Sequence, residues 1–174
     1  MTVILGIQIP STDPVFLWIV GFHILIGIST VTVGAVAILS RKGRGRHANF
    51  GAIYFWLLTV LVGSATILSM MRWEHNYYLF ILGLLAFAAA LLGRTAAQRR
   101  WWQWPRLHLS GMGASVILMV TAFLVDNGQF LPGWRELPQL ALWFVPGVLG
   151  LPFLINALFR HPLVVGYDGQ RDRH

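Results

Sequence analysis

VFLWIVGFHILIGISTVTVGAVAILS, residues 15–40, is the stretch on which the reading of this chain turns. It contains no Asp, Glu, Lys or Arg, and the one side chain in it that titrates near neutral pH is His23. As a helix rising about 1.5 Å per residue, such a run spans the roughly 30 Å hydrocarbon core of a bilayer. Four more stretches repeat the pattern, and every formal charge lies between them. Helices are expected at about Val15–Ser40, Ala48–Met71, Tyr77–Gly93, Leu107–Val125 and Leu137–Phe159, the third near the short limit for a span. The fold class is therefore all-α integral membrane, a five-transmembrane-helix bundle. Residues 1–14 form a segment ahead of it, 15–159 a single membrane domain and 160–174 a basic tail.

Composition agrees. The chain has 174 residues, 56% hydrophobic and only 11% charged, against roughly 25% charged in ordinary soluble domains. Cysteine is absent, which removes thiolate catalysis, Cys-ligated zinc and iron–sulfur clusters. The net charge of +7 would suggest nucleic acid in a soluble protein, but its distribution is topological. Arg41, Lys42, Arg44, Arg46, Arg94, Arg99, Arg100, Arg106, Arg160, Arg171 and Arg173 face only Asp168 and Asp172 on one side. On the other, Arg72 and Arg135 face Asp13, Glu74, Asp126 and Glu136. By the positive-inside rule the N-terminus is expected outside and the C-terminus in the cytoplasm. Met1–Pro14 carries no Lys or Arg and the apolar run behind it is long, so a retained helix is expected rather than a cleaved signal peptide.

Three details refine this. Trp101, Trp102 and Trp104 lie among Arg99, Arg100 and Arg106, a pattern that suits interfacial anchoring rather than nucleic-acid stacking. Pro146 and Pro152, with Gly147 and Gly150, predict a kink or break in the fifth helix. Asp126-Asn127-Gly128 reads as a turn after the fourth.

Histidines are the candidate site residues. His23 shares a helix face with Gly27, Thr30 and Gly34 at spacings of four, seven and eleven, a small and polar stripe suited to close approach of another helix. Its ring is open to two readings: an interhelical hydrogen bond, or a ligand, cofactor or proton-relay role, since ionisable groups within membrane helices mark sites by default. His47 and His108 open the second and fourth helices at one interface. Each alone suits an interfacial residue meeting phosphate and water; together they suit a b-type haem or similar redox cofactor, because neutral imidazole ligates well when its second nitrogen has a partner. His161 lies at the same level, and His75 is expected to be solvated. Residue His23 is about 24 Å from the inner end of its helix, too far to share a metal with His47 or His108. Met70, Met71, Met112 and Met119 suit packing better than copper. No intramembrane carboxylate, HExxH, Gly-rich phosphate loop or nucleophile elbow is present, so no catalytic residue is named and enzyme activity is not expected.

In order along the chain run Phe22-His23-x-x-x-Gly27, Gly34, Arg41-Lys42-Gly43-x-x-x-His47-x-x-x-Gly51-x-x-Tyr54 and Arg106-Leu107-His108-x-x-Gly111-Met112-x-x-Ser115. Then follow Ala122-Phe123-x-Val125-Asp126-Asn127-Gly128, Leu131-Pro132-x-Trp134-x-x-Leu137-Pro138 and Trp143-x-x-Pro146-x-x-x-Gly150-x-Pro152. This arrangement resembles the family of small bacterial multi-pass membrane proteins catalogued as domain of unknown function 2306. The family pattern often has Tyr where this chain has Val116. The resemblance implies a multi-pass protein of the bacterial cytoplasmic (inner) membrane and draws attention to His23, His47 and His108; it implies no activity. Expected partners are the lipid bilayer and other membrane subunits or further copies, with no nucleic acid. Besides cofactor binding, two roles are open: a structural or accessory subunit of a larger membrane complex, and a small-solute permease using the fifth helix and Asn156.

Overall fold

In a computed structural model the described residues are 2–4, 7–9, 13–41, 45–162, 164, 165 and 167. The basic residues Lys42, Arg44, Arg171 and Arg173 and the acidic Asp168 and Asp172 lie outside them. Two short antiparallel strands, β1 (Thr2–Ile4) and β2 (Ile7–Ile9), pair Thr2 with Ile9 and Ile4 with Ile7. Five helices follow: α1 (Pro14–Leu39), α2 (Arg46–Met71), α3 (Trp73–Arg99), α4 (Trp104–Asn127) and α5 (Gln139–Arg160). All five are long and apolar enough to cross a membrane, and under a third of each apolar window is buried inside the chain. The chain is thus helical, with five helices of the length and apolarity that a multi-pass membrane protein requires.

The helix ends follow from local chemistry. Asp13 accepts a hydrogen bond from the Val15 N–H at 2.9 Å, and Pro14 opens α1 where no N–H is needed. Within the spans, hydroxyls turn back on their own helix: Thr30 donates to the Ile26 carbonyl, Thr59 to Phe55 and Thr121 to Ile117. In lipid no water competes for these groups, so back-bonding is the available solution.

Helix α3 runs well past the expected 77–93. Only Arg72 separates it from α2, with the His75 and Asn76 N–H groups bonding to the Arg72 carbonyl. Glu74 sits in its first turn and Arg99 in its last, each at the end the helix dipole favours. Apolarity marks the extent of the hydrocarbon core, whereas backbone bonding continues into the headgroup layer. Helix α5 is also continuous, with Pro146 and Pro152 inside it. Each proline removes one N–H donor, which does not end a helix flanked by intact turns in lipid.

The chain divides into two compact units, Met1–Leu84 and Leu85–His174. In the first, α1 and α2 run antiparallel. Arg72 lies over the Phe16 ring near one end, and Gly34 lies against the Tyr54 ring nearer the other. The buried residues of α1 include Thr30, Gly34 and Ala37, and those of α2 include Tyr54, Phe55, Leu58 and Leu61. In the second unit, α4 crosses the later half of α3 where Gly93 meets Gly111 backbone to backbone. Leucines of α5 seat on glycines opposite: Leu154 on Gly113 and Leu142 on Gly128, while Ile117 of α4 meets Gly150. The Gln139 side-chain amide donates to the Val125 carbonyl at 2.9 Å, tying the start of α5 to the end of α4.

Candidate functional site

Each candidate histidine links two helices within one unit. On α1, His23 is half-buried, with Nδ1 2.8 Å from the Ser64 Oγ of α2. Ser64 in turn donates to the Leu61 carbonyl at 2.8 Å. Its one hydrogen being used there, Ser64 accepts from the ring, so the neutral imidazole carries its proton on Nδ1. This is the partner the His23–Gly27–Thr30–Gly34 stripe predicted in kind but not in identity. Nothing in the sequence distinguished Ser64 from the other hydroxyls of the spans beyond its small-residue setting, Gly63-Ser64-Ala65-Thr66.

The His47 ring, at the second residue of α2, has Nδ1 2.9 Å from the Ala37 carbonyl in the last turn of α1. Helix ends leave carbonyls without intrahelical partners, and His47 supplies one from across the helix pair. The His108 ring, in the first turns of α4, has Nδ1 3.1 Å from the Gly93 carbonyl of α3. The Gly93–Gly111 contact brings the two backbones close enough for that reach. A carbonyl can only accept, so Nδ1 is the donor in both rings and the lone pair of the neutral form sits on Nε2. A ligating imidazole has the same arrangement, its second nitrogen held by a carbonyl.

His47 belongs to the first unit and His108 to the second, each oriented by bonds inside its own. His75 lies in the first turn of α3 and is exposed, and His161 caps the end of α5. Asn156 is exposed on α5. Among the described residues, no three His, Asp or Glu side chains converge on a point that could hold a metal ion. Beside Ser64, α1 and α2 enclose a shallow apolar groove of about 400 Å³, lined by Trp18, Ile19, Phe22, Val60, Ser64 and Ile67.

The His23–Ser64 bond carries a measurable energy. Interhelical hydrogen bonds in membranes contribute about 0.6 kcal/mol on average and up to about 1.7 kcal/mol. A double-mutant cycle on His23→Ala and Ser64→Ala, read by unfolding in mixed micelles, is expected to return a coupling of about 1 kcal/mol. Additive single effects would mean that the two side chains do not bond.

No protein-family model, no curated protein and no solved structure matches the chain.

Proposed function

We propose that this chain is a non-enzymatic cofactor-binding protein of the bacterial cytoplasmic membrane, with its N-terminus outside and its C-terminus cytoplasmic. It binds a b-type haem or similar redox cofactor through imidazole, with His47 and His108 as the candidate ligands. The observation that supports this is the bonding of each ring inside its own unit: Nδ1 lies at a backbone carbonyl of a neighbouring helix. That bond raises ligand basicity and keeps the ring from turning. His23 bonds Ser64 instead and serves a separate level, as a link between helices or a second site.

The test is an absorption spectrum and a pyridine haemochrome assay on protein produced with a haem supply. A Soret band is expected, absent in His47→Ala and in His108→Ala and kept in His75→Ala. Colourless wild-type protein overturns the reading.

A second reading is a structural or accessory subunit of a larger membrane complex. It is favoured by the use of all three histidines as ties between helices. No buried side-chain polar atom among the described residues lacks a hydrogen-bond partner, and α5 leaves Leu140, Phe144, Val148, Phe153 and Phe159 exposed. Mass spectrometry after purification in mild detergent decides it: a stoichiometric foreign membrane subunit supports it, and recovery only as monomer or homo-oligomer counts against it.

A further inference from the structure

The connection between α3 and α4 concentrates cations and indoles in a few residues of the second unit. Arg99 and Arg100 are both exposed, and Trp101 and Trp102 follow at 40% and 68% exposure. The backbone there is shaped rather than slack. Arg100 (φ 51°) and Gln103 (φ 57°) are the non-glycine residues with positive φ among those described, a conformation that L-residues adopt only when their surroundings impose it. The surroundings can be named: the Trp101 N–H bonds to the Ala96 carbonyl at 3.2 Å, and the Trp104 N–H to the Trp101 carbonyl at 2.9 Å. The Gln103 N–H donates to the Tyr167 hydroxyl at 3.3 Å, so the segment after α5 braces the turn. The Arg100 guanidinium lies 4.2 Å from the centroid of the Trp104 ring. Stacked there, it is fixed in place while its N–H edge remains suited to bidentate contact with an oxyanion.

The charge of this turn has no counterpart nearby in the sequence. No Asp or Glu occurs between Glu74 and Asp126, a stretch that holds Arg94, Arg99, Arg100 and Arg106. Among the described residues neither Arg99 nor Arg100 has an ion-pair partner. The turn joins two membrane-spanning helices, and exposed indoles at such a junction belong in the headgroup layer. Lipid phosphate is the oxyanion of that layer, and it matches guanidinium in charge and geometry.

We propose that the Arg99–Trp104 turn is a binding site for the phosphate of an anionic phospholipid, with Arg99 and Arg100 as its ligands and Trp101 and Trp102 seated in the surrounding interface. This is more than general attraction of a basic loop to a charged surface, because the left-handed residues and the Tyr167 brace hold the turn in one shape.

The full-length protein is reconstituted into phosphatidylcholine vesicles containing phosphatidylglycerol as the minor lipid, extracted in mild detergent, and its retained lipids are counted by native mass spectrometry. Wild-type protein is expected to retain phosphatidylglycerol in excess over its share of the vesicle. At about fivefold per arginine, R99Q/R100Q lowers that preference by about 25-fold. R41Q/R46Q, which removes the same charge elsewhere, leaves it within about threefold. Should the double variant fail to fold, R99Q alone carries the test with a loss of about fivefold. Equal retention by wild type and R99Q/R100Q overturns the proposal, as does an equal loss in R41Q/R46Q. Displacement of the lipid by inorganic phosphate also overturns it, because the site would then serve a free anion.

Discussion

Gly111→Ala is expected to destabilise the protein by about 2–3 kcal/mol, the largest effect of any single added methyl group. A Cβ at Gly111 would stand 2.5 Å from the Ala89 carbonyl oxygen and 2.7 Å from both the Cα and the N of Gly93. These are backbone atoms of α3, so no rotamer change relieves them. The helices have to separate by roughly 1 Å to restore ordinary contact. That movement also stretches the 3.1 Å bond from His108 to the Gly93 carbonyl beyond good hydrogen-bond range. Small residues at membrane helix crossings exist for this close approach, since lipid supplies no hydrophobic force to press helices together. Unfolding in mixed micelles, followed by far-ultraviolet circular dichroism, reads the loss. Gly63→Ala is the control: nothing lies within 4 Å of its Cβ position, and alanine is the better helix former by up to about 1 kcal/mol. Equal stability of Gly111→Ala and wild type would mean that the α3–α4 crossing is looser than the backbone contact implies.

Tyr54→Ala is expected to cost about 2–3 kcal/mol in the first unit. The ring is only 2% exposed, and its Cδ2 and Cε2 lie 3.0 and 3.1 Å from the position a Gly34 Cβ would take. Truncating a buried aromatic residue in a water-soluble core costs about 3–5 kcal/mol, combining transfer and cavity terms. In lipid the transfer term shrinks and the lost dispersion contacts remain. Tyr54→Phe keeps the ring and is expected to cost under about 1 kcal/mol. The contact also predicts a sign. Gly34→Leu alone collides with the ring, whereas in the Tyr54→Ala background it fills the space the ring leaves. The double variant is therefore expected to be more stable than the sum of the singles allows. Strict additivity, measured by the same unfolding assay, would remove the Gly34–Tyr54 contact from the account.

Much of this contact was legible in advance. His23, Gly27, Thr30 and Gly34 repeat at the spacing of one helix face, and the protein turns that face toward α2, with Gly27 beside Leu61 and Gly34 beside Tyr54. The five spans were legible for the same reason: exclusion of charge from hydrocarbon acts residue by residue along the chain. Helix ends were less so. Hydropathy reports the solvent around a segment, whereas Trp73–Asn76 and Arg94–Arg99 keep helical backbone bonds outside the apolar run.

Bond partners were beyond the reach of the sequence. His47 and His108 stand out as paired openings of two helices, but that each ring donates to a carbonyl, Ala37 in one case and Gly93 in the other, depends on how close two backbones come. Ser64 had no signal of its own, since any hydroxyl in a membrane helix can turn back on its own helix. The left-handed turn at Arg100 and Gln103, braced by Tyr167, joins residues 64 positions apart. The sequence by itself determined the number of helices long and apolar enough to span a membrane, because these follow from local transfer energies. Only the tertiary structure decided which polar group faces which, because that is set by ångström-scale differences in helix separation that glycines permit and composition does not encode.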